Sequence, residues 1–191
     1  MSSKFILIIG PSGSGKGTLL NILKERHLDI FFPISATTRS PRPNEKNGET
    51  YYFLSKKDFQ NKIKEHKFLE YAEVHGGNFY GTLKKPILDA LEKGKLVVRE
   101  IDYQGFLSVS QIIPKEKLQS IFILPPSTDI LKQRIKERAP ISEEELEARM
   151  ESLKKEIAIA NKCDIQLQTI DGDIEDSYKL FEAAILDTNK K

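Results

Sequence analysis

Apolar positions along the chain fall into short unbroken runs and longer stretches of helical spacing, separated by breaks rich in glycine and proline. Lys4 to Ile9 (KFILII) is a β-branched apolar run of the kind found in a strand buried on both faces. After the break GPSGSGKGT, Leu19, Leu20 and Leu23 return at helical spacing and predict a helix over 16–26. From Pro33 to about Thr82 the texture turns polar: SPRPNEKNG reads as loop, YYFLS as a strand, and a helix is expected near Lys57 to Glu65. Leu83 to Lys93 reads as a helix that Gly94 ends, LVVREID as a second core strand, and SIFILPP as a third. Ser127 to Lys162 is strongly charged and helical, interrupted at RAPISEEE, where Pro140 stops one helix and Ser142 with Glu145 forms a capping box for the next. IQLQT is a last strand, DGD a turn, and Ile174 to Leu186 a closing helix. Strands alternating with helices predict an α/β fold with a parallel sheet.

At 191 residues this pattern has room for one compact α/β unit with small appended parts. Lys and Arg total 30 against 28 Asp and Glu, so the net charge is +2 and no basic stripe points to a nucleic acid or an anionic membrane; recognition of phosphate has to be local. The single cysteine, Cys163, forms no internal disulfide, and with three scattered histidines a structural zinc site is not expected. No apolar run approaches the ~20 residues that span a bilayer. A cytoplasmic protein is the expectation.

The first chemical signal is the break itself. Gly10, Pro11, Ser12, Gly13, Ser14, Gly15, Lys16, Gly17 and Thr18 follow a strand and lead into a helix. Glycines at 10, 13, 15 and 17 let the backbone curl with its N–H groups inward, the helix adds the positive end of its dipole, and Lys16 brings a mobile charge for β- and γ-phosphates. The strict pattern GxxxxGK[ST] is missed by one place. Gly17 stands where a hydroxyl would touch Mg²⁺, so that contact runs through water or comes from Thr18.

Within the polar segment, Arg39 and Arg42 lie three apart on a proline-constrained loop. They can offer two guanidinium forks to one phosphate, with Tyr51 and Tyr80 adding hydroxyls. Here SATTRSPRPNEKNGETYYF, FLEYAEVHGGNFYGT, EIDYQG and IFILPPS stand in the order and at the spacing of the guanylate kinases, and the chain resembles that family over nearly its whole length. The resemblance implies a P-loop NTPase-type parallel core flanked by helices (1–32, 83–126 and 163–191), an inserted GMP-binding lobe (33–82) and a helical lid (127–162). It implies transfer of the γ-phosphoryl group of ATP, with Mg²⁺, to GMP or dGMP. It places Arg39, Arg42, Tyr51 and Tyr80 on the GMP phosphate and Ser35, Glu70, Thr82 and Asp102 around its base. The chemistry agrees: guanine offers N1–H and an amino group side by side, which a carboxylate such as Glu70 accepts as a pair, whereas adenine has no such pair of donors on that edge.

Glu100 and Asp102 lie two apart, so on a strand both face the cleft at its carboxyl end, where ligands bind in an α/β sheet. The resemblance puts Asp102 near the acceptor base or the metal shell and makes Glu100, with Thr18, a candidate for Mg²⁺ or its waters. Arg134 and Arg138 on one helical face, and Arg149 beyond the hinge, match arginines that similar enzymes bring over the transferring phosphate, beside Lys16. Three departures stand out. Arg99 replaces an apolar residue and needs an acid partner not evident from the sequence; Ala139 and Pro140 replace a glycine and a threonine at the lid hinge; Gln168 and Thr169 stand where an asparagine meets the donor base. Two rival readings are a kinase for another small phosphorylated acceptor, such as ribose 1,5-bisphosphate, and a non-catalytic module that binds phosphorylated peptides. Glu70, Ser35 and Thr82 speak against the first, and the retained Lys16, Arg39, Arg42, Arg134, Arg138 and Arg149 against the second.

Overall fold

The computed structural model describes residues 3–74, 76–138 and 141–187. In chain order the elements are β1 (Phe5–Ile9), α1 (Lys16–Arg26), β2 (Ala36–Thr37), β3 (Tyr52–Phe53), α2 (Lys56–Lys64), β4 (Phe68–Val74) and β5 (Asn78–Leu83). Then follow α3 (Lys84–Glu92), β6 (Val97–Glu100), α4 (Tyr103–Ser110), β7 (Leu118–Leu124), α5 (Thr128–Arg138), α6 (Glu143–Ile159), β8 (Ile165–Gln168) and α7 (Ile174–Leu186).

One sheet has the order β6-β1-β7-β8 with every pairing parallel. All five residues of β1 are buried, and the two faces of the strand divide the core. Phe5, Leu7 and Ile9 join Val97, Phe106, Val109 and Phe122 on one side, where α3 contributes Ile87, Ala90 and Leu91. Ile6 and Ile8 join Leu19, Leu23, Ile121, Ile123, Tyr178, Phe181 and Ile185 on the other, under α1 and α7. Helices cover both faces, which is why the strand is apolar without alternation.

A second sheet, β3-β2-β5-β4, is built from residues between 36 and 83 and departs from the expected parallel alternation. Its β4 and β5 form an antiparallel pair that the apolar pattern does not reveal, turned through Gly76 and Gly77, whose φ values of 88° and 69° favour glycine. A separate small core holds this sheet together: Phe59 of α2 stacks on Phe68 at 4.3 Å between ring centroids, with Phe79 at 5.4 Å. Helix α4 is also hidden in the pattern, because only Phe106 and Val109 mark its buried face beside Gly105. A Cβ on Gly105 would lie 2.5 Å from Ile101 Cγ1, so the YQG stretch packs too tightly to advertise itself as an amphipathic helix.

The capping box at Ser142 and Glu145 is present as expected. Leu131 and Ile135 of α5 pack against Leu146, Met150 and Leu153 of α6, so this helix pair carries its own apolar seam. Ala139 and Pro140, between the two helices, lie outside the described residues.

Candidate active site

The loop between β1 and α1 is shaped by its backbone. Gly10, Gly13 and Gly15 have φ of 145°, 85° and 93°. A Cβ on Gly10 would stand 2.4 Å from the Ile123 carbonyl oxygen, and one on Gly13 2.9 Å from Leu131 Cδ1, so β7 and α5 press the loop from two sides. Gly17 differs from the expectation that all four glycines make the curl: it has ordinary helical backbone inside α1, and a Cβ there would meet nothing within 4 Å. Gly15 is the N-cap of α1, no described side chain caps the helix, and its first turn carries no acid, so the positive end of its dipole suits an anion.

Lys16 is buried and folds back over the loop, donating to the Gly10 carbonyl at 2.6 Å and the Pro11 carbonyl at 2.8 Å. Its Nζ lies 3.7 Å from Glu100 Oε1, which joins the end of β6 to the loop. Thr18 is exposed on the first turn of α1. Among the described residues no group of three or more His, Cys, Asp or Glu gathers to hold a metal. Thr18 and the half-exposed Glu100 are the oxygen-bearing side chains here that could contact a magnesium ion which takes most of its ligands from phosphates and water. Ser14 Oγ is buried without a hydrogen-bond partner, and the Thr169 hydroxyl lies 3.1 Å from the Leu124 carbonyl and 3.5 Å from the Ser14 carbonyl of the loop.

On the second sheet, Arg39, Tyr51 and Tyr80 do come together. Arg39 Nε donates to Tyr80 Oη at 3.2 Å, its guanidinium carbon lies 5.6 Å from the Tyr51 ring centre, and the two tyrosine rings meet edge-on at 6.1 Å. A residue missed in the sequence organises them. Glu45 accepts from Arg39 Nη2 through both oxygens at 2.8 Å and from the Arg42 backbone N–H at 2.8 Å. The Arg39 guanidinium holds the Glu45 carboxyl below the usual carboxylate range. Its three-residue spacing from Arg42 was the available signal, hidden in a loop where an acid looks like solvated surface. Arg42 is exposed.

Glu70 and Thr82 face each other across the β4–β5 pair, and the Thr82 hydroxyl donates to Glu70 Oε1. The acid partner of Arg99 is this same Glu70, with Nη2 at 3.6 Å from Oε1; Nη2 also donates to Ser35 Oγ at 2.9 Å and Nη1 to the Pro33 carbonyl at 3.0 Å. Ser35, Glu70, Thr82 and Arg99 therefore form one cluster. Asp102 departs from its expected setting: β6 ends at Glu100, and Asp102 is the exposed N-cap of α4, accepting from the Gly105 N–H at 2.7 Å. The two acids do not share a strand face, because the chain turns into the helix between them. Arg134 and Arg138 lie in α5 and Arg149 in α6; their side chains are outside the described residues.

A parallel sheet with a glycine loop and buried lysine at the end of its first strand, beside a separate sheet flanked by arginines and bearing a largely buried carboxylate, defines a P-loop phosphotransferase. Comparison narrows the class: the family model described as guanylate kinase matches residues 2–188. The chain is 43% identical to the guanylate kinase of Nostoc sp. over 97% of its length and 90% of the relative, and 47% identical to that of Clostridium perfringens over 95% and 82%. The crystal structure of guanylate kinase from Anaplasma phagocytophilum superposes with a TM-score of 0.70 at 28% identity, covering 100% of this chain and 88% of that one. The chain belongs to the guanylate kinase family.

Proposed function

We propose that this chain transfers the γ-phosphoryl group of ATP to GMP, giving ADP and GDP, with the donor on the loop at 10–18 and the acceptor on the second sheet. The observation that carries the acceptor assignment is the arrangement along β5. Tyr80, bonded to Arg39, and Thr82, bonded to Glu70, are two residues apart and share a face. A phosphate handle and a carboxylate for the base are thus anchored at positions about 7 Å apart along one strand, and their side chains extend to the scale of a nucleoside monophosphate.

In this reading Arg39, Arg42, Tyr51 and Tyr80 hold the GMP phosphate, and Glu70 accepts N1–H and the amino group of guanine, with Ser35, Thr82 and Asp102 around it. A GMP phosphate oxygen attacks the γ-phosphorus in line while the β–γ bridging oxygen leaves with ADP. Lys16 exchanges its carbonyl partners for phosphate oxygens and, with loop N–H groups, stabilises charge on the leaving side. Arg134, Arg138 and Arg149 supply positive charge from the α5–α6 pair, which acts as the lid that keeps water from the phosphates. Thr18 and Glu100 would hold magnesium or its waters, and the ion would supply positive charge to the phosphates of ATP. No helix of the described residues is long and apolar enough to cross a membrane, and a cytoplasmic location suits nucleotide substrates.

ADP release from MgATP, measured separately with GMP, AMP, dTMP, ribose 1,5-bisphosphate and no acceptor, tests the reading. Release that depends on GMP is expected. Release with another acceptor would overturn the base site while keeping the phosphate loop, and folded protein that releases no ADP would favour the binding-module reading.

A further inference from the structure

Arg99 stands on β6, in register with the buried Leu7 of β1 and next to the buried Val98 of its own strand. Its side chain is only 12% exposed, and that of Glu70 17%. A lone guanidinium in such a place is costly, since an arginine does not shed its proton and has to be matched by acceptors. The acceptors it meets all come from the ends of the second sheet: the Pro33 carbonyl, the Ser35 hydroxyl and the Glu70 carboxylate. Its Nε is buried without a hydrogen-bond partner. Packing alone would place an apolar side chain here; the outer nitrogens are satisfied only toward the base site.

Two consequences follow for the groups it holds. Glu70 Oε1 is engaged by Thr82 and Arg99 together, so the carboxylate is turned to one orientation, which the paired donors of guanine require. Ser35 Oγ accepts from Arg99, so its own O–H is left to donate, and guanine presents O6 and N7 as acceptors. We propose that Arg99 is the positioning residue of guanine recognition, orienting Glu70 and Ser35 from the main sheet so that discrimination between guanine and its analogues depends on a side chain outside the second sheet. The inference rests on Glu70 being the base acceptor.

The test uses the full chain and compares kcat/KM for GMP with that for IMP, which keeps N1–H and lacks the amino group. In Arg99→Leu the GMP KM is expected to rise about tenfold and the GMP-to-IMP ratio to fall by a similar factor, while the ATP KM stays within about twofold. Arg99→Lys, which returns the charge without the fork, is expected to recover part of the ratio and also serves if the leucine variant does not fold. Glu70→Gln alone should collapse the ratio, and adding Arg99→Leu to it should change little more, because the arginine acts through the carboxylate. An unchanged ratio in folded Arg99 variants, with Glu70→Gln still collapsing it, overturns the role of Arg99 and leaves the base site standing. A loss of thermal stability with GMP and ATP affected alike and the ratio intact marks a structural role only and overturns it as well. If Glu70→Gln leaves the ratio intact, the base-site reading falls and takes the inference with it.

Discussion

In the proposed reading the loop at 10–18 and the second sheet solve the same problem, holding a phosphate, by opposite means. The loop works through main chain: Gly10, Gly13 and Gly15 take left-handed or otherwise glycine-favoured backbone, β7 and α5 crowd two of them, and even Lys16 is parked on carbonyls of the loop itself. The acceptor sheet works through side chains drawn from distant points of the chain: Arg39 with Tyr80, Arg39 with Glu45, Thr82 with Glu70, and Arg99 with Ser35 and Glu70. Main-chain donors read phosphate and nothing else, so the loop alone defines a broad class of proteins. Paired side chains are able to read the arrangement of donors on one base, and in the proposed reading each link is a place where specificity can be lost without losing the fold.

This contrast is broken most sharply at Lys16, the loop side chain that carries a charge in the proposed reading. Lys16→Ala is expected to lower kcat by about 10²- to 10³-fold, while calorimetry should find GMP affinity within about twofold of the parent, since the two sites are independent in the absence of chemistry. On the acceptor side, Glu70→Ala should raise the GMP KM on the order of 10²-fold and leave the ATP KM alone, because a base with two donors then meets no acceptor. Equal rises for both nucleotides would mean the sheet does not read the base.

The loop's dependence on backbone is tested at Gly10. An alanine there forces a Cβ to within 2.4 Å of the Ile123 carbonyl oxygen and should destabilise the protein by about 2–4 kcal/mol in denaturant unfolding. On the acceptor side, Glu45→Gln removes half of the bidentate contact to Arg39 and should raise the GMP KM about three- to tenfold, with kcat less affected. The same pair carries a pH signature. The folded Glu45 carboxyl sits below its ordinary value of 4.5, so its stabilising contribution is complete above that value and is lost as pH falls through the lower folded value. The wild-type thermal midpoint should therefore fall more steeply in acid than that of Glu45→Gln. The smallest effect is at Gly17, where alanine meets open space on ordinary helical backbone and should be neutral or stabilising by up to about 1 kcal/mol, sharpening the difference from Gly10.

How much of this was legible follows the range of the interactions. The β1-loop-α1 unit was readable nearly to the residue, because an apolar run, three backbone-limited glycines and a helical leucine spacing are all local. Closing helix α7 and the Ser142–Glu145 capping box were readable for the same reason. The β4–β5 pair was not, since its strands mix Tyr, Glu, Asn and Gly on partly exposed faces and become strands by pairing with each other. Asp102 was misplaced because a two-residue period was carried past the end of β6 into the cap of α4.

By itself the sequence determined a parallel α/β core, a glycine loop between its first strand and helix and, through its motifs, membership of the guanylate kinase family. Local propensity, glycine conformation and spacing settle those, and none requires knowing what lies across the sheet. Tertiary structure alone decided which charges meet. Glu45 could be known as the partner of Arg39, and Glu70 as the partner of Arg99, only once a loop had closed and the ends of two sheets had come together. A buried charge is made tolerable by a neighbour that the chain brings in from elsewhere, and that neighbour leaves no mark in the local pattern.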